Sequence, residues 1–178
     1  MTTMRRLVAV LLAALLVLAA PGPARAHDGA PVVTHPVPTA LTLPAGAVCA
    51  FDVRVEFPVT DLTRHTWYAD GGRPVFAVET GTMIADFTAV ATGRTVRRDL
   101  SGTGYYAYPD ERTTILSGTR IVALLGPNDR PANRLLFSGG GFMSVRVTVS
   151  GSGTRVRTVI VNPPTAEDIC ATLARVAA

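Results

Sequence analysis

The densest gathering of functional side chains in this chain is the stretch Asp61-Leu62-Thr63-Arg64-His65-Thr66-Trp67-Tyr68-Ala69-Asp70. A histidine near an aspartate is the pairing that general acid–base and nucleophilic chemistry uses: imidazole exchanges a proton near neutral pH, and a carboxylate fixes its tautomer. On an extended strand Asp61 and His65 share a face but stand about 13 Å apart, at ~3.3 Å per residue, so only a turn or helix would join them. The competing expectation is a structural histidine beside Trp67 on a half-exposed strand. Trp67 and Tyr68, together with Tyr105-Tyr106-Ala107-Tyr108, offer a stacking surface for a sugar or an apolar ligand. Alternation sends Tyr106 and Tyr108 to one face and Tyr105 to the other. Ser138-Gly139-Gly140-Gly141 has the composition of an anion nest, but neither a lysine nor a following helix accompanies it. The adjacent carboxylates Asp110-Glu111 fall in a proline-containing turn and read as solvated loop residues.

The compartment decides what the remaining candidates can do. Arg5 and Arg6, the apolar run Leu7 to Ala20 and the small-residue end Ala24-Arg25-Ala26 are the three parts of a secretory signal peptide, with cleavage expected after Ala26. The run falls short of the roughly 20 residues a bilayer-spanning helix needs and is followed by Pro21 and Gly22. A free, secreted chain with no permanent membrane anchor is therefore expected. Three of the seventeen basic residues lie before residue 27 and all thirteen acids after it, which leaves a net charge of +1 on residues 27–178. So small a charge lacks the basic face that phosphate-backbone binding requires and argues against nucleic acid as a partner.

Cleavage after Ala26 would make His27 the first residue, presenting an amine and an imidazole together. That arrangement looks like the histidine brace of copper-binding secreted β-sandwich proteins, among them lytic polysaccharide monooxygenases and periplasmic copper carriers. The resemblance implies copper at His27, with His65 or His35 as the second imidazole, since imidazole suits that metal. The other reading of His27 is a disordered, proline-rich terminus carrying no cofactor.

Cys49 and Cys170, the only two cysteines, would meet an oxidising compartment and pair with each other. Their separation and the absence of flanking histidines make a poor zinc site and a poor redox motif.

The elements that must position these groups read as all-β. Residues 27–46 carry Pro31, Pro36, Pro38 and Pro44 and read as an extended leader with at most one edge strand, at Leu41 to Leu43. A single domain is expected over residues 47–178. Phe51, Val53, Val55 and Phe57 alternate with Asp52, Arg54 and Glu56, the period of a strand with one buried face. Short β-prone runs follow between glycine-rich breaks: Thr63 to Ala69, Pro74 to Thr80, Met83 to Thr92, Arg94 to Leu100, Tyr105 to Tyr108, Thr113 to Ser117, Arg120 to Leu125, Arg134 to Phe137, Phe142 to Val149 and Thr154 to Val161. Such spacing predicts an antiparallel meander closed into a barrel or folded as a sandwich. One short C-terminal helix is expected over 165–177, N-capped by Thr165, with Ile169, Leu173 and Val176 on its docked stripe.

The layout resembles a group of uncharacterised secreted β-rich proteins of GC-rich Gram-positive bacteria. The shared features are the leader peptide, Val48-Cys49-Ala50-Phe51 ahead of the first strand, the turn Ala91-Thr92-Gly93-Arg94-Thr95, and the closing Glu167-Asp168-Ile169-Cys170-Ala171-Thr172-Leu173. The resemblance implies the fold and brings no activity with it. The function expected is a non-enzymatic binding or structural domain for a small ligand, a cell-wall component or a protein. The two alternatives are a copper protein using His27 and an acid–base enzyme centred on His65.

Overall fold

The computed structural model describes residues 29–175. The expected signal peptide, His27 and Val176 lie outside the described residues. Among the described residues no helix is long and apolar enough to cross a membrane.

The described residues are all-β, in two antiparallel sheets with one short helix. The strands are β1 (Val32–Thr34), β2 (Leu41–Leu43), β3 (Val53–Tyr68), β4 (Pro74–Ala89), β5 (Arg94–Asp99), β6 (Gly102–Asp110), β7 (Thr113–Gly118), β8 (Val122–Leu125), β9 (Arg134–Phe137), β10 (Met143–Val149), β11 (Arg155–Val161) and β12 (Glu167–Asp168), followed by helix α1 (Ile169–Ala174). The large sheet runs β1-β3-β4-β6-β7-β10-β11, with β2 also on β3 and β5 also on β4; the small sheet is β12-β9-β8. The large sheet does not close into a barrel. It curls around the small sheet, which packs on it with both faces. Val122, Leu124 and Leu135 meet Val53, Val55 and Phe87 on one side. Ala123, Leu125 and Leu136 meet Met143 and Val145 on the other. A strand buried on both faces must be apolar at every position, and Val122-Ala123-Leu124-Leu125 is.

Several boundaries depart from the sequence expectation. The proline-rich leader carries two strands, not one: β1 pairs with β3 at Arg64 to Thr66, and β2 pairs with β3 at Val53 to Val55. Pro36 and Pro38 occupy the connection between them, where no ladder hydrogen bond is lost. The runs around Val53 and around His65 are one strand, β3. Pro58 is tolerated inside it because Phe57 and Pro58 together face Ala85 in a bulge. Phe51 falls outside the strand, packed against the core. Gly81 is no turn but the middle of β4, and Gly102 and Gly104, expected as a break, belong to β6.

The helix is also shorter than 165–177. Glu167 and Asp168 are claimed by the ladder with Phe137 and Leu136, so the helix starts only at Ile169 with Asp168 as its cap. Thr165 instead donates its hydroxyl to the Ser138 carbonyl at 3.2 Å. Ile169 and Leu173 are buried as the apolar stripe required. Cys170 joins Cys49 in a disulfide with Cα atoms 5.5 Å apart, tying α1 to the residues ahead of β3.

Candidate functional site

The curl of the large sheet and the offset of the small one leave a cleft of ≈ 370 Å³ between them. That lies inside the range of small-molecule sites, roughly 300–1,000 Å³. Its walls are the inward side chains of β3, β4 and β7, namely Leu62, Met83, Phe87 and Leu116, against Ile121, Val122 and Leu124. Pro36, Val37 and Pro38, from the β1–β2 connection, form the rim. Leu62 pairs with Gly81 and Gly81 with Gly102, so two of the three positions across that row carry no side chain. Of the two glycines Gly102 lines the cleft, as does Gly104 two residues on, so β6 offers no side chain to the cavity at either position.

A polar cluster sits within this apolar lining. Arg64, Glu79 and Tyr106 come from three adjacent strands, placed by the pairs Arg64↔Glu79 and Ala77↔Tyr106. Arg64 donates from Nε to Glu79 Oε2 at 2.8 Å, and its Nη2 lies 2.5 Å from the same oxygen in an ion pair. Tyr106 donates its hydroxyl to Glu79 Oε1 at 3.1 Å. The Arg64 guanidinium carbon lies 4.5 Å from the centre of the Tyr106 ring, in cation–π contact. The Arg64 side chain is 30% exposed and that of Glu79 13%, so the pair is partly removed from water while the guanidinium still meets the cleft. Nη1 is not used in these bonds. Burial, and then the Glu79 carboxylate, push the Tyr106 phenol up to about 12. Arg120 stands at the edge of the cleft, its Nη1 2.5 Å from Asp99 Oδ2 in an exposed pair.

The residues singled out from the sequence are divided by the sheet. Trp67 points away from the cleft and packs on Phe76, ring centres 5.8 Å apart. His65 shares that outer face, between Val33 and Val78 in the ladder. Tyr106 lies in the cleft wall, and Tyr108 lies close enough to Arg64 and Tyr68 for their charges to act on its phenol. Trp67, Tyr68, Tyr106 and Tyr108 therefore form no common stacking surface. Asp61 and His65 lie on one uninterrupted stretch of β3, opposite Thr82 and Val78, so the strand holds them apart. His35 leaves β1 with Nδ1 3.3 Å from the Leu62 carbonyl oxygen. Among the described residues no group of three His, Cys, Asp or Glu side chains is placed to hold a metal.

Sequence reasoning missed Arg64 and Glu79. The available signal was periodicity: Arg64 alternates in phase with Leu62 and Thr66, and Glu79 with Ala77, so both charged residues occupy inward positions of their strands. An inward charge on a strand needs a partner, and these two are each other's.

Comparison of the chain with protein-family models, with curated proteins and with solved structures finds no match.

Proposed function

We propose that this protein is an exported binding module that holds a small, largely apolar molecule in the cleft between its two sheets. The observation that carries this reading is the cleft itself, an apolar recess with a convergent Arg64–Glu79–Tyr106 cluster. Export is supported by the signal-peptide pattern of Arg5 to Ala26 and by the Cys49–Cys170 disulfide, a bond suited to oxidising compartments.

Binding, not catalysis, is the reading the cluster favours. Both Glu79 oxygens already accept a hydrogen bond, Oε2 from Arg64 and Oε1 from Tyr106, so the carboxylate is held within a cluster and does not stand alone in the cleft. The Tyr106 phenol, pushed up to about 12, stays protonated at neutral pH and acts as a fixed donor. His65, the titratable group best suited to acid–base work, lies on the other side of β3.

Titration with the neutral fluorescent dye N-phenyl-1-naphthylamine tests this. The dye should bind with enhanced emission, and Leu116→Trp, which fills the cleft, should weaken binding by roughly tenfold or more, an apolar contact loss of about 1.4 kcal/mol. Unchanged affinity in a folded Leu116→Trp protein would overturn the reading.

A further inference from the structure

The charge and hydrogen-bonding pattern of the cleft specifies more than an apolar ligand. Resting on the cleft reading above, we propose that the ligand is an amphipathic monocarboxylate, with its head held by Arg64 and Arg120 and its hydrocarbon tail lying along Leu62, Met83, Phe87 and Leu116.

Charge balance is the first argument. The residues lining the cleft include two guanidiniums, Arg64 and Arg120, and a single carboxylate, Glu79. Arg64 is paired with Glu79 and Arg120 with Asp99, which lies outside the lining, so a ligand anion in the cleft would take the place of Asp99 as the counter-ion of Arg120. A cationic head would meet two guanidiniums and one carboxylate in a partly dehydrated space, where like charges repel.

Hydrogen-bonding capacity points the same way. Glu79 already accepts from Arg64 Nε and from the Tyr106 hydroxyl, one bond on each oxygen, so a ligand donor finds both oxygens engaged. Arg64 Nη1 takes no part in these bonds and is a charged donor that the cluster offers to a ligand. A carboxylate accepts from guanidinium nitrogens in the short, charge-assisted geometry that is about twice as strong as a neutral hydrogen bond.

Arg120 can join without large cost. Its present partner Asp99 lies outside the cleft lining, and the side chains are 47% and 49% exposed. Exposed pairs of this kind contribute little, so the guanidinium is free to exchange Asp99 for a ligand head.

Size bounds the tail. At about 30 Å³ per water, the ≈ 370 Å³ cleft displaces on the order of a dozen waters, which suits a medium-length acyl chain.

Displacement of N-phenyl-1-naphthylamine by decanoate, decan-1-ol and decyltrimethylammonium reads the proposal, with calorimetric titration of decanoate as a direct measurement independent of the dye. Decanoate should bind roughly tenfold more tightly than decan-1-ol, and decyltrimethylammonium more weakly than either. Arg120→Gln, a rim substitution that leaves the core intact, should reduce the decanoate preference several-fold without changing decan-1-ol binding; Arg64→Met should abolish the preference. Equal binding of the alcohol and the acid, or tighter binding of the cation, would overturn the proposal even where the dye still occupies the cleft. A dye unaffected by Leu116→Trp would instead overturn the underlying assignment of the cleft.

Discussion

The backbone of Gly81 passes so close to the carbonyl oxygen of Asp61 that a Cβ at position 81 would overlap it, and the glycine adopts φ +140°, a value that side chains rarely allow. This approach lies in the row Leu62–Gly81–Gly102, whose outer members Leu62 and Gly102 line the cleft. Just beyond it the partner of β4 changes from β6 to β5, and the ladder is bridged by Leu100 N–H to Met83 O at 2.8 Å and Met83 N–H to Ser101 Oγ at 3.1 Å.

Gly81→Ala should therefore destabilise the fold by at least about 2 kcal/mol, combining backbone strain with an overlap against main-chain atoms that cannot rotate away. Chemical denaturation measures this. A change within the experimental scatter of wild type would show that the strands have room to separate there.

The Cys49–Cys170 bond closes a loop spanning 121 residues, so the chain-entropy model predicts a loss of up to about 4–5 kcal/mol on its removal. Cys49→Ser with Cys170→Ser should lower the denaturation midpoint strongly, and hydrogen exchange should show the helix Ile169–Ala174 opening before the large sheet. Equal protection of helix and sheet would contradict the view that the bridge fastens the helix.

Acid sensitivity should pass through Glu167. The hydrogen bond from Arg98 holds its carboxyl below the usual glutamate range, helped by the Thr172 hydroxyl at 2.7 Å. A lowered folded value means that the contribution is present in full above the ordinary glutamate value of about 4.3 and is lost as pH falls through the lowered value. Stability measured against pH should show a shallower acid limb in Glu167→Gln, with little pH dependence added at neutral pH. An acid limb identical to wild type would place the acid-labile contacts elsewhere.

At the alkaline end Tyr106 should titrate last. Its phenol, raised to about 12 by burial and by Glu79, contributes stability that is intact below the ordinary tyrosine value of about 10 and lost as pH rises through about 12. Spectrophotometric titration should resolve one tyrosine near that pH, missing in Tyr106→Phe. If Tyr106→Phe removes a tyrosine that titrates near 10, the Glu79–Tyr106 contact is absent in solution.

The sheet-forming runs were legible because alternation in Val53 to Phe57 and in Phe142 to Val149 is a local property of the chain. The continuity of β3 and β4 was not, because Pro58 and Gly81 read locally as breaks and only the facing strands make a bulge of one and a close approach of the other. The C-terminal cap was misplaced for a similar reason: Thr165 has good local capping chemistry, but β9 competes for Glu167 and Asp168 and wins them. The disulfide could be paired because no other cysteine exists. In the site, Tyr106 is legible as an aromatic in a tyrosine run, whereas the Arg64–Glu79 pair depends on a register between strands that no single stretch of sequence specifies.

The cleft assignment is tested most directly by methyl NMR of the protein titrated with decanoate. The account predicts shifts concentrated on Leu62, Leu116, Ile121 and Leu124, with Val33 and Val78 beside Trp67 and Phe76 on the outer face unmoved. Shifts confined to Val33, Val78 and the ring neighbours of Trp67, with the cleft methyls silent, would contradict it.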